Sequence, residues 1–278
     1  MASVKINASK TITSILLGIF SAVFLLPLIW MVSAASKLEK DVMSFPIQWI
    51  PKHWNLISNF KAVWFGNVPF SLFYFNSLKL SVLMTLATLI FSSMAAFAFT
   101  KLHFRGRNVA FGLLLSFMII PSEATLVPRF LILKWLHLYN THAGLILMGM
   151  FSIYFTFLLR QFMMSIHNDY IEAAKIDGAG YFLIYWKIML PLCKPILATV
   201  GIIKFIWTWN DYQNPLIFLI SKKLYPIPLG LQLFKNDYAD NYAILMMGSL
   251  SAIVPLLVVF IVLQRQVIQG ISLGGVKG

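Results

Sequence analysis

The sequence predicts an all-α membrane protein with six transmembrane helices, and two observations indicate this fold class. Of the 278 residues, 59% are hydrophobic and only 11% are charged, about half the charged fraction of an ordinary soluble domain. A soluble chain of this composition would leave large apolar patches exposed to water. The apolar residues also form runs that reach the roughly 20 residues needed for a helix to cross a bilayer.

Six apolar stretches are predicted to span the membrane. Four contain no charged residue, and they lie between Lys10 and Lys37, Lys79 and Lys101, Lys134 and Arg160, and Asp240 and Arg265. Two contain charge, namely residues 108–126 with Glu123 and residues 195–220 with Lys204 and Asp211. The first stretch is followed by small residues, as a cleaved signal peptide would be. Its length exceeds the roughly 7–15 residues of a signal h-region, which favours an uncleaved helix.

The predicted organisation follows from these spans. It comprises an N-terminal arm at residues 1–10, a first transmembrane helix at 11–36, an external interfacial segment at 37–72, a five-helix core at 73–265 with a long internal connection at about 165–194, and a tail at 266–278. Trp49, Trp54 and Trp64 suit the headgroup zone, where aromatic rings concentrate. Ordinary loop packing explains each of these rings equally well.

The net charge of +13 does not indicate a nucleic-acid partner, because the positive residues lie in the connections between spans. An internal N-terminus places slightly more of them inside than outside. The short loop Lys101–Arg107 contributes much of that excess, and short loops are where the positive-inside rule applies. Six spans then place both termini inside.

The chemistry of an enzyme is missing from the sequence. The five histidines are scattered, and no His-Glu-x-x-His, Gly-x-Ser-x-Gly, Cys-x-x-Cys or phosphate-loop motif is present. The single cysteine, Cys193, cannot form an intramolecular disulfide, and we expect a packed or lipid-facing thiol. If ATP drives this protein, another chain must hydrolyse it.

A short helix is predicted in the internal connection. Residues 170–177 are good helix formers, Asp169 is a candidate N-cap, and Gly178 is a natural helix stop. Such a helix is too short to be stable alone in water. Ala173 and Ala174 leave a low surface to which another backbone could approach closely. The segment is therefore either a docking helix or an amphipathic connector lying on the membrane.

The same segment resembles a known motif. Glu172-Ala173-Ala174, three residues, Gly178, nine residues and then Ile188-Met189-Leu190-Pro191 resemble the EAA motif of ABC importer permeases. Further segments are similar to carbohydrate-uptake permeases of the MalG-like kind: Asn76-Ser77, residues 95–99 leading to Arg105-Gly106-Arg107, residues 158–162, Trp209-Asn210-Asp211, and the ending from Gly270 to Gly278. The resemblance covers most of the chain. A minor departure is Asn168-Asp169-Tyr170, where the family more often has Pro, a basic or polar residue, and Glu.

The resemblance implies a type I ABC importer permease fold with a cytoplasmic coupling helix, located in a bacterial-type cytoplasmic membrane. It implies a subunit that moves a sugar or oligosaccharide by alternating access. The implied partners are a second homologous permease, two ATPase subunits and an extracytoplasmic solute-binding protein. ATP and Mg would be bound by the ATPase, so no cofactor is expected in this chain. The implied ATPase-coupling residues are Glu172, Ala173, Ala174, Asp177 and Gly178.

Charged residues within the spans are candidates for the translocation pathway. A charge near the bilayer centre costs roughly 2.5–3.5 kcal/mol on insertion scales, so such residues usually face protein or water. Lys204, Trp207 and Asp211 fall on one face of a continuous helix. Trp207 would then stack on a sugar ring while Asp211 accepts hydroxyl hydrogen bonds. Alternatively, these residues and Glu123 pack against the partner permease or fix their helices internally.

Two other classes of protein remain to be weighed. A secondary transporter would also use six spans and buried charges, but the EAA-type connection and the lack of a visible repeat between halves disfavour it. An intramembrane enzyme is disfavoured by the missing nucleophile and metal motifs.

Overall fold

The computed structural model describes residues 8–275, so most of the predicted N-terminal arm and the last three residues of the predicted tail lie outside the described residues. The described part is helical, without a strand. Its α-helices are α1 Ala8–Ala35, α2 Glu39–Val42, α3 Leu56–Phe65, α4 Phe70–Lys101, α5 Arg107–Ser116, α6 Leu126–Trp135, α7 His142–Gly149, α8 Ile153–Met164, α9 Asp169–Ile176, α10 Tyr181–Ile184, α11 Leu190–Leu192, α12 Lys194–Trp209, α13 Gln213–Phe218, α14 Ile227–Asp237 and α15 Tyr242–Gly275. Short 3-10 turns lie at Phe117–Ile119, Ser122–Thr125 and Lys222–Leu224, and a π-helical turn lies at Tyr185–Met189.

The helices provide up to six membrane spans. Three are long and apolar enough alone, namely Ile12–Ala35, Phe70–Lys101 and Tyr242–Val262. Three more arise if bent pairs are each counted as one span: Arg107–Ile119 with Ser122–Trp135, His142–Gly149 with Ile153–Met164, and Tyr181–Leu192 with Lys194–Trp209. The bends are 100°, 41° and 79°. Half of the predicted spans are therefore broken rather than straight.

The fifth predicted span is not one helix across residues 195–220. Helix α12 ends at Trp209, and α13 begins only at Gln213. The Asp211 carboxylate accepts a hydrogen bond of 3.1 Å from the backbone N–H of Asn214. A carboxylate that satisfies an N–H at the start of a new helix favours a break at that point.

The described part of the chain divides into two compact units, and the first consists of the described residues before Leu72 together with Leu231–Val254. In this unit, Asn59 donates to the carbonyl oxygens of Ala35 and Lys37 at 2.9 and 2.8 Å, which ties α3 to the end of α1. The Lys37 side chain is buried and donates to the Gln48 carbonyl. Burial lowers the pKa of Lys37, and the nearby Asp41 carboxylate partly opposes that shift.

The three tryptophans predicted at the membrane interface differ in environment within this first unit. Trp49 and Trp54 are 49% and 68% exposed. Trp64 is half-buried, and its indole N–H donates to Ser251 Oγ at 3.3 Å. Internal packing therefore accounts for Trp64, whereas the other two rings remain open to their surroundings.

The second unit contains Leu72–Gly230 and the chain from Pro255 onward, and it holds the larger core. That core joins the end of α4 to α8, α9 and the start of α12, and its buried members are Ala96, Phe97, Phe155, Leu159, Met163, Ile171, Ala174, Ile184, Tyr185, Met189, Cys193, Ile196 and Val200. Cys193 is a free, fully buried thiol, so it is packed rather than lipid-facing. Another buried cluster of this unit consists of Leu80, Met84, Leu133, Leu145, Phe218 and Leu219.

Candidate functional site

The short helix predicted in the internal connection is α9, and it begins one residue earlier than the sequence indicated. Asn168, not Asp169, occupies the N-cap, and neither it nor another side chain caps the free N–H groups. The Asn168 side chain is engaged elsewhere, because its Oδ1 accepts a hydrogen bond of 2.8 Å from Lys101 Nζ. Asp169 is instead the first helical residue, where its negative charge interacts favourably with the positive end of the helix dipole.

The C-terminal end of α9 confirms Gly178 as the helix stop. Gly178 has φ +81°, in the left-handed region that glycine adopts without a Cβ penalty. Its N–H bonds to the Lys175 carbonyl at 3.0 Å, and the N–H of Ala179 bonds to the Ala174 carbonyl at 2.9 Å. This pair of bonds is the Schellman arrangement, which satisfies the last carbonyls and turns the chain sharply.

The two faces of α9 have different environments. Ile171 and Ala174 are buried in the core of the second unit. Glu172, Ala173 and Asp177 are exposed. The prediction that Ala174 contributes to an outer docking surface was therefore wrong, since positions 171 and 174 lie one turn apart on the inward face.

One exposed residue of this helix was missed by sequence reasoning. Ile176 is 87% exposed. It follows Glu172 by four residues and Ala173 by three, which places all three on the same face. The sequence did contain a signal for it, because Ile176 is an apolar residue at a spacing that places it on the polar face of α9.

Lys101, at the end of α4, holds the approach to α9 in place. Its side chain is buried, and Nζ donates to the Ile166 carbonyl at 2.6 Å as well as to Asn168 Oδ1. In the last turn of the helix, Lys175 Nζ lies 4.6 Å from the centre of the Tyr181 ring. The sequence had indicated only that Lys101 was one of several charges in a short loop.

A cavity of about 310 Å³ lies among the broken spans of the second unit. Its lining consists of Leu80, Met84, Arg129, Leu145, Met148, Gly149, Lys204, Trp207, Thr208, Asp211, Asn214, Pro215 and Pro226. Three of the four predicted pathway residues, Lys204, Trp207 and Asp211, therefore meet at one cavity. They do not do so as one helical face, because Asp211 lies beyond the end of α12.

Polar contacts connect the charged groups of the cavity. Arg129 donates to Asn214 Oδ1 at 3.2 Å and to the Ser122 carbonyl at 2.8 Å. Asn214 Nδ2 in turn donates to Asp211 Oδ2 at 2.8 Å. The network joins the bend between the two halves of the third span to the break after α12. Arg129 and Asn214 were not predicted as site residues, although Asn214 has the spacing from Asp211 of a capped turn.

The remaining predicted pathway residue, Glu123, does not line this cavity. It lies in the 3-10 turn Ser122–Thr125 with an exposed side chain. Its Oε1 accepts a hydrogen bond of 2.7 Å from Ser122 Oγ. The structure therefore places Glu123 outside the cavity, next to the lining residue Arg129 rather than among the other three.

Trp207 presents an open aromatic surface at the cavity. Its side chain is 54% exposed. The ring centre lies 5.1 Å from that of Phe155 and 5.6 Å from that of Tyr154. These neighbours restrict the orientation of the indole while leaving part of it accessible.

A helical membrane chain with bent spans, a polar cavity among them and an exposed short helix between two spans has the architecture of a transport subunit. Residues 88–272 match the family described as binding-protein-dependent transport system inner membrane component. The chain belongs to this family. It is therefore a membrane-embedded transport subunit rather than an enzyme.

Known relatives match over most of their length. The arabinooligosaccharides transport system permease protein AraQ of Bacillus subtilis (strain 168) is 36% identical, with 79% of this chain and 78% of that protein covered. The lactose transport system permease protein LacG of Rhizobium radiobacter is 30% identical, with 94% and 93% covered. The sulfoquinovosyl glycerol transport system permease protein SmoH of Agrobacterium fabrum (strain C58 / ATCC 33970) is 32% identical, with 91% and 89% covered.

A solved structure shows the same fold. A chain of a bacterial ABC transporter involved in the import of the acidic polysaccharide alginate superposes with a TM-score of 0.82 at 25% sequence identity. The match covers 95% of this chain and 98% of that chain. The predicted ABC importer permease fold is thereby confirmed.

Proposed function

We propose that this chain is the membrane-spanning subunit of an ATP-driven importer for a sugar or oligosaccharide, with α9 as its coupling helix. The observation that carries the proposal is the exposed face of α9, which covers nothing within the described chain although both ends of the helix are fixed by hydrogen bonds. Relatives named for arabinooligosaccharides and lactose support a carbohydrate substrate.

The exposed face of α9 has the composition of a docking surface. Ile176 supplies an apolar anchor that would fill a pocket of the partner. Glu172 and Asp177 supply carboxylates for charge-assisted hydrogen bonds, while Ala173 lets a backbone approach closely. Gly178 fixes the turn that follows, and Ala174 acts from the inward face by allowing α9 to pack tightly on its own core.

The complete importer would contain four further chains. Two ATPase subunits would bind ATP and Mg and receive α9, a second homologous permease would complete the pathway, and an extracytoplasmic solute-binding protein would deliver the sugar. With both termini inside, the connection between the fourth and fifth spans that carries α9 also lies inside, where ATP is available.

The cavity fits a section of the translocation pathway. Trp207 offers a ring for stacking on a sugar, and Lys204, Asp211 and Asn214 offer hydrogen-bonding groups beside it. ATP-driven closure of the ATPases would pull on α9 and rock the permease between inward-facing and outward-facing states as a rigid-body transition. Packing against the partner permease is the competing role for these residues.

The proposal is tested by placing a charge on the exposed face of α9. The tagged chain is purified in mild detergent from membranes in which its native partners are expressed, and the ATPase recovered per permease is measured. Ile176→Asp should strongly reduce that recovery while membrane insertion remains normal, because Ile176 packs against little of its own chain. Ile57→Asp is the matched control, since Ile57 is 71% exposed and lies far along the chain in α3.

Each outcome of this experiment supports or overturns a specific part of the proposal. Loss of the ATPase with Ile176→Asp but not with Ile57→Asp supports α9 as the coupling helix. Equal recovery from both variants overturns that assignment. A wild-type chain that purifies without an ATPase and supports uptake without ATP overturns the importer itself in favour of a secondary transporter.

A further inference from the structure

The charges that line the cavity do not balance. Arg129 and Lys204 contribute positive charge, and Asp211 contributes the negative charge. Glu123 lies outside the lining, but it is close enough to Arg129 for the two charges to interact. Glu123 therefore offsets Arg129 from outside the cavity, and Asp211 is the counter-charge of Lys204 among the lining residues.

The hydrogen bonds show which of these charged groups is available to a ligand. Arg129 uses its guanidinium on Ser122, Thr125 and Asn214. Both carboxylate oxygens of Asp211 accept from Asn214. Lys204 Nζ, by contrast, makes no hydrogen bond to any group in the described part of the chain, although an ammonium has three N–H donors.

The end of α7 is the part of the fold next to the Lys204 ammonium. Lys204 Nζ lies beside Gly149, since a Cβ built on that glycine would be 3.6 Å away. The Gly149 carbonyl at the end of α7 already accepts from Thr88 Oγ1 at 2.9 Å. Lys204 lines the cavity and its ammonium is not hydrogen-bonded within the described chain, so its donors are available to a ligand.

A second unsatisfied group lies one turn further along α12. Thr208 Oγ1 is buried and has no hydrogen-bond partner among the described residues, and Thr208 lines the same cavity. Buried polar groups are normally paired. The Lys204 ammonium and the Thr208 hydroxyl are thus two unused donors on one helix. Together with the partly exposed ring of Trp207, they form a polar subsite.

We infer that this cavity accepts a sugar bearing an anionic substituent (a carboxylate, sulfonate or phosphate), with Lys204 Nζ and Thr208 Oγ1 donating to that group and Trp207 contacting the ring. The inference rests on the proposed transport function. A neutral sugar could accept the same hydrogen bonds, but it would leave the Lys204 ammonium without a directly bonded counter-charge in a site partly shielded from water. A ligand oxyanion provides acceptors and the balancing charge together.

The test compares pairs of sugars in which one member carries an anionic group and the other is its neutral counterpart. The permease–ATPase complex, without the solute-binding protein, is placed in lipid nanodiscs, and ligand binding is measured by equilibrium dialysis. One probe pair is trigalacturonate and its trimethyl ester, and the other is lactose 6′-sulfate and lactose. In the wild type, at least one charged probe should bind about tenfold or more tightly than its neutral counterpart.

Variants then assign that preference to the cavity. Lys204→Gln should abolish the preference, and Lys204→Arg should retain most of it. Lys222→Gln is the matched control, because Lys222 is exposed and does not line the cavity. The wild-type comparison needs no variant, so a folding defect of Lys204→Gln does not weaken the test.

The results separate this inference from the transport function. Equal binding of both members in each pair, no binding of any probe, or a preference that survives Lys204→Gln in a folded complex overturns the anionic subsite. If the ATPase still co-purifies and hydrolyses ATP in that case, the importer proposal stands. Absence of the ATPase from the wild-type preparation counts against the importer proposal instead.

Discussion

Lys101 Nζ donates a hydrogen bond of 2.8 Å to Asn168 Oδ1, so the end of the long helix α4 holds the residue from which α9 begins. The same ammonium donates to the Ile166 carbonyl, two residues earlier. A single buried side chain therefore fixes the entry of the chain into the candidate coupling helix. The direction in which α9 presents its exposed face depends on this contact.

We expect Lys101→Met to loosen the connection to α9. The change leaves the Ile166 carbonyl and the Asn168 amide without their donor, at a cost of about 1–3 kcal/mol for unsatisfied buried groups. Thermal unfolding of the purified complex should shift down by several degrees, and the ATPase should be recovered less well. Lys187→Met, at an exposed lysine, serves as the control. Unchanged unfolding and recovery in Lys101→Met would refute this role.

We expect Gly178 and Gly180 to differ sharply in their tolerance of a side chain. Gly178→Ala places an L-residue at φ +81°, which costs about 1–2 kcal/mol. Gly180 has φ −71° and ψ 159°, and a Cβ there meets nothing within 4 Å, so Gly180→Ala should be neutral. Coupled uptake per inserted permease should therefore fall only in the Gly178 variant.

Gly178→Asp should have a larger effect on coupling than Gly178→Ala. Aspartate tolerates the left-handed conformation somewhat better than alanine does, but it adds a third carboxylate close to Asp177 and Glu172. We expect uptake to be lost while the protein stays in the membrane. Normal uptake by this variant would show that the turn does not participate in coupling.

We expect Gly230→Ala to destabilise the second unit. A Cβ at Gly230 would overlap the ring of Phe73, which is only 1% exposed and has little room to move. Overpacking of this kind typically costs about 1–3 kcal/mol. Gly201→Ala is the matched control, since its Cβ would lie 3.6 Å from Leu89 Cδ1, an ordinary contact. Because alanine is a better helix former than glycine by about 1 kcal/mol, Gly201→Ala should unfold at the same temperature or slightly higher. Similar unfolding temperatures for the two variants would contradict the packing seen at Phe73.

The class of fold was predictable because it depends on the amount and spacing of apolar residues. Runs without charge, such as those between Lys79 and Lys101 or between Asp240 and Arg265, have no stable place except within a bilayer. The existence of α9 and its end at Gly178 were also predictable, because both depend on local conformational preferences. The bends were not, since Asp211 breaks the fifth span through a contact with Asn214 that periodicity does not reveal.

The candidate sites were predictable only in part for a related reason. Glu172, Ala173 and Asp177 belong to a motif, so sequence spacing was sufficient to select them. The inward position of Ala174 and the exposure of Ile176 depend on which face of α9 meets the core. Glu123 and Arg129 lie within one span, and the sequence favoured Glu123, whereas it is Arg129 that lines the cavity.

The sequence by itself determined that the protein lies in a lipid bilayer, that it is helical, that it carries the family motif and that the chain turns at Gly178. These features depend on hydrophobicity and backbone preference, which act over one residue or one helical turn. The tertiary structure alone decided that Lys101 anchors α9 and that Arg129 of α6 and Asn214 of α13 meet Lys204 of α12 at one cavity. Those relationships join residues from different helices. Their geometry follows from side-chain packing and hydrogen-bond pairing across the fold, which no local pattern encodes.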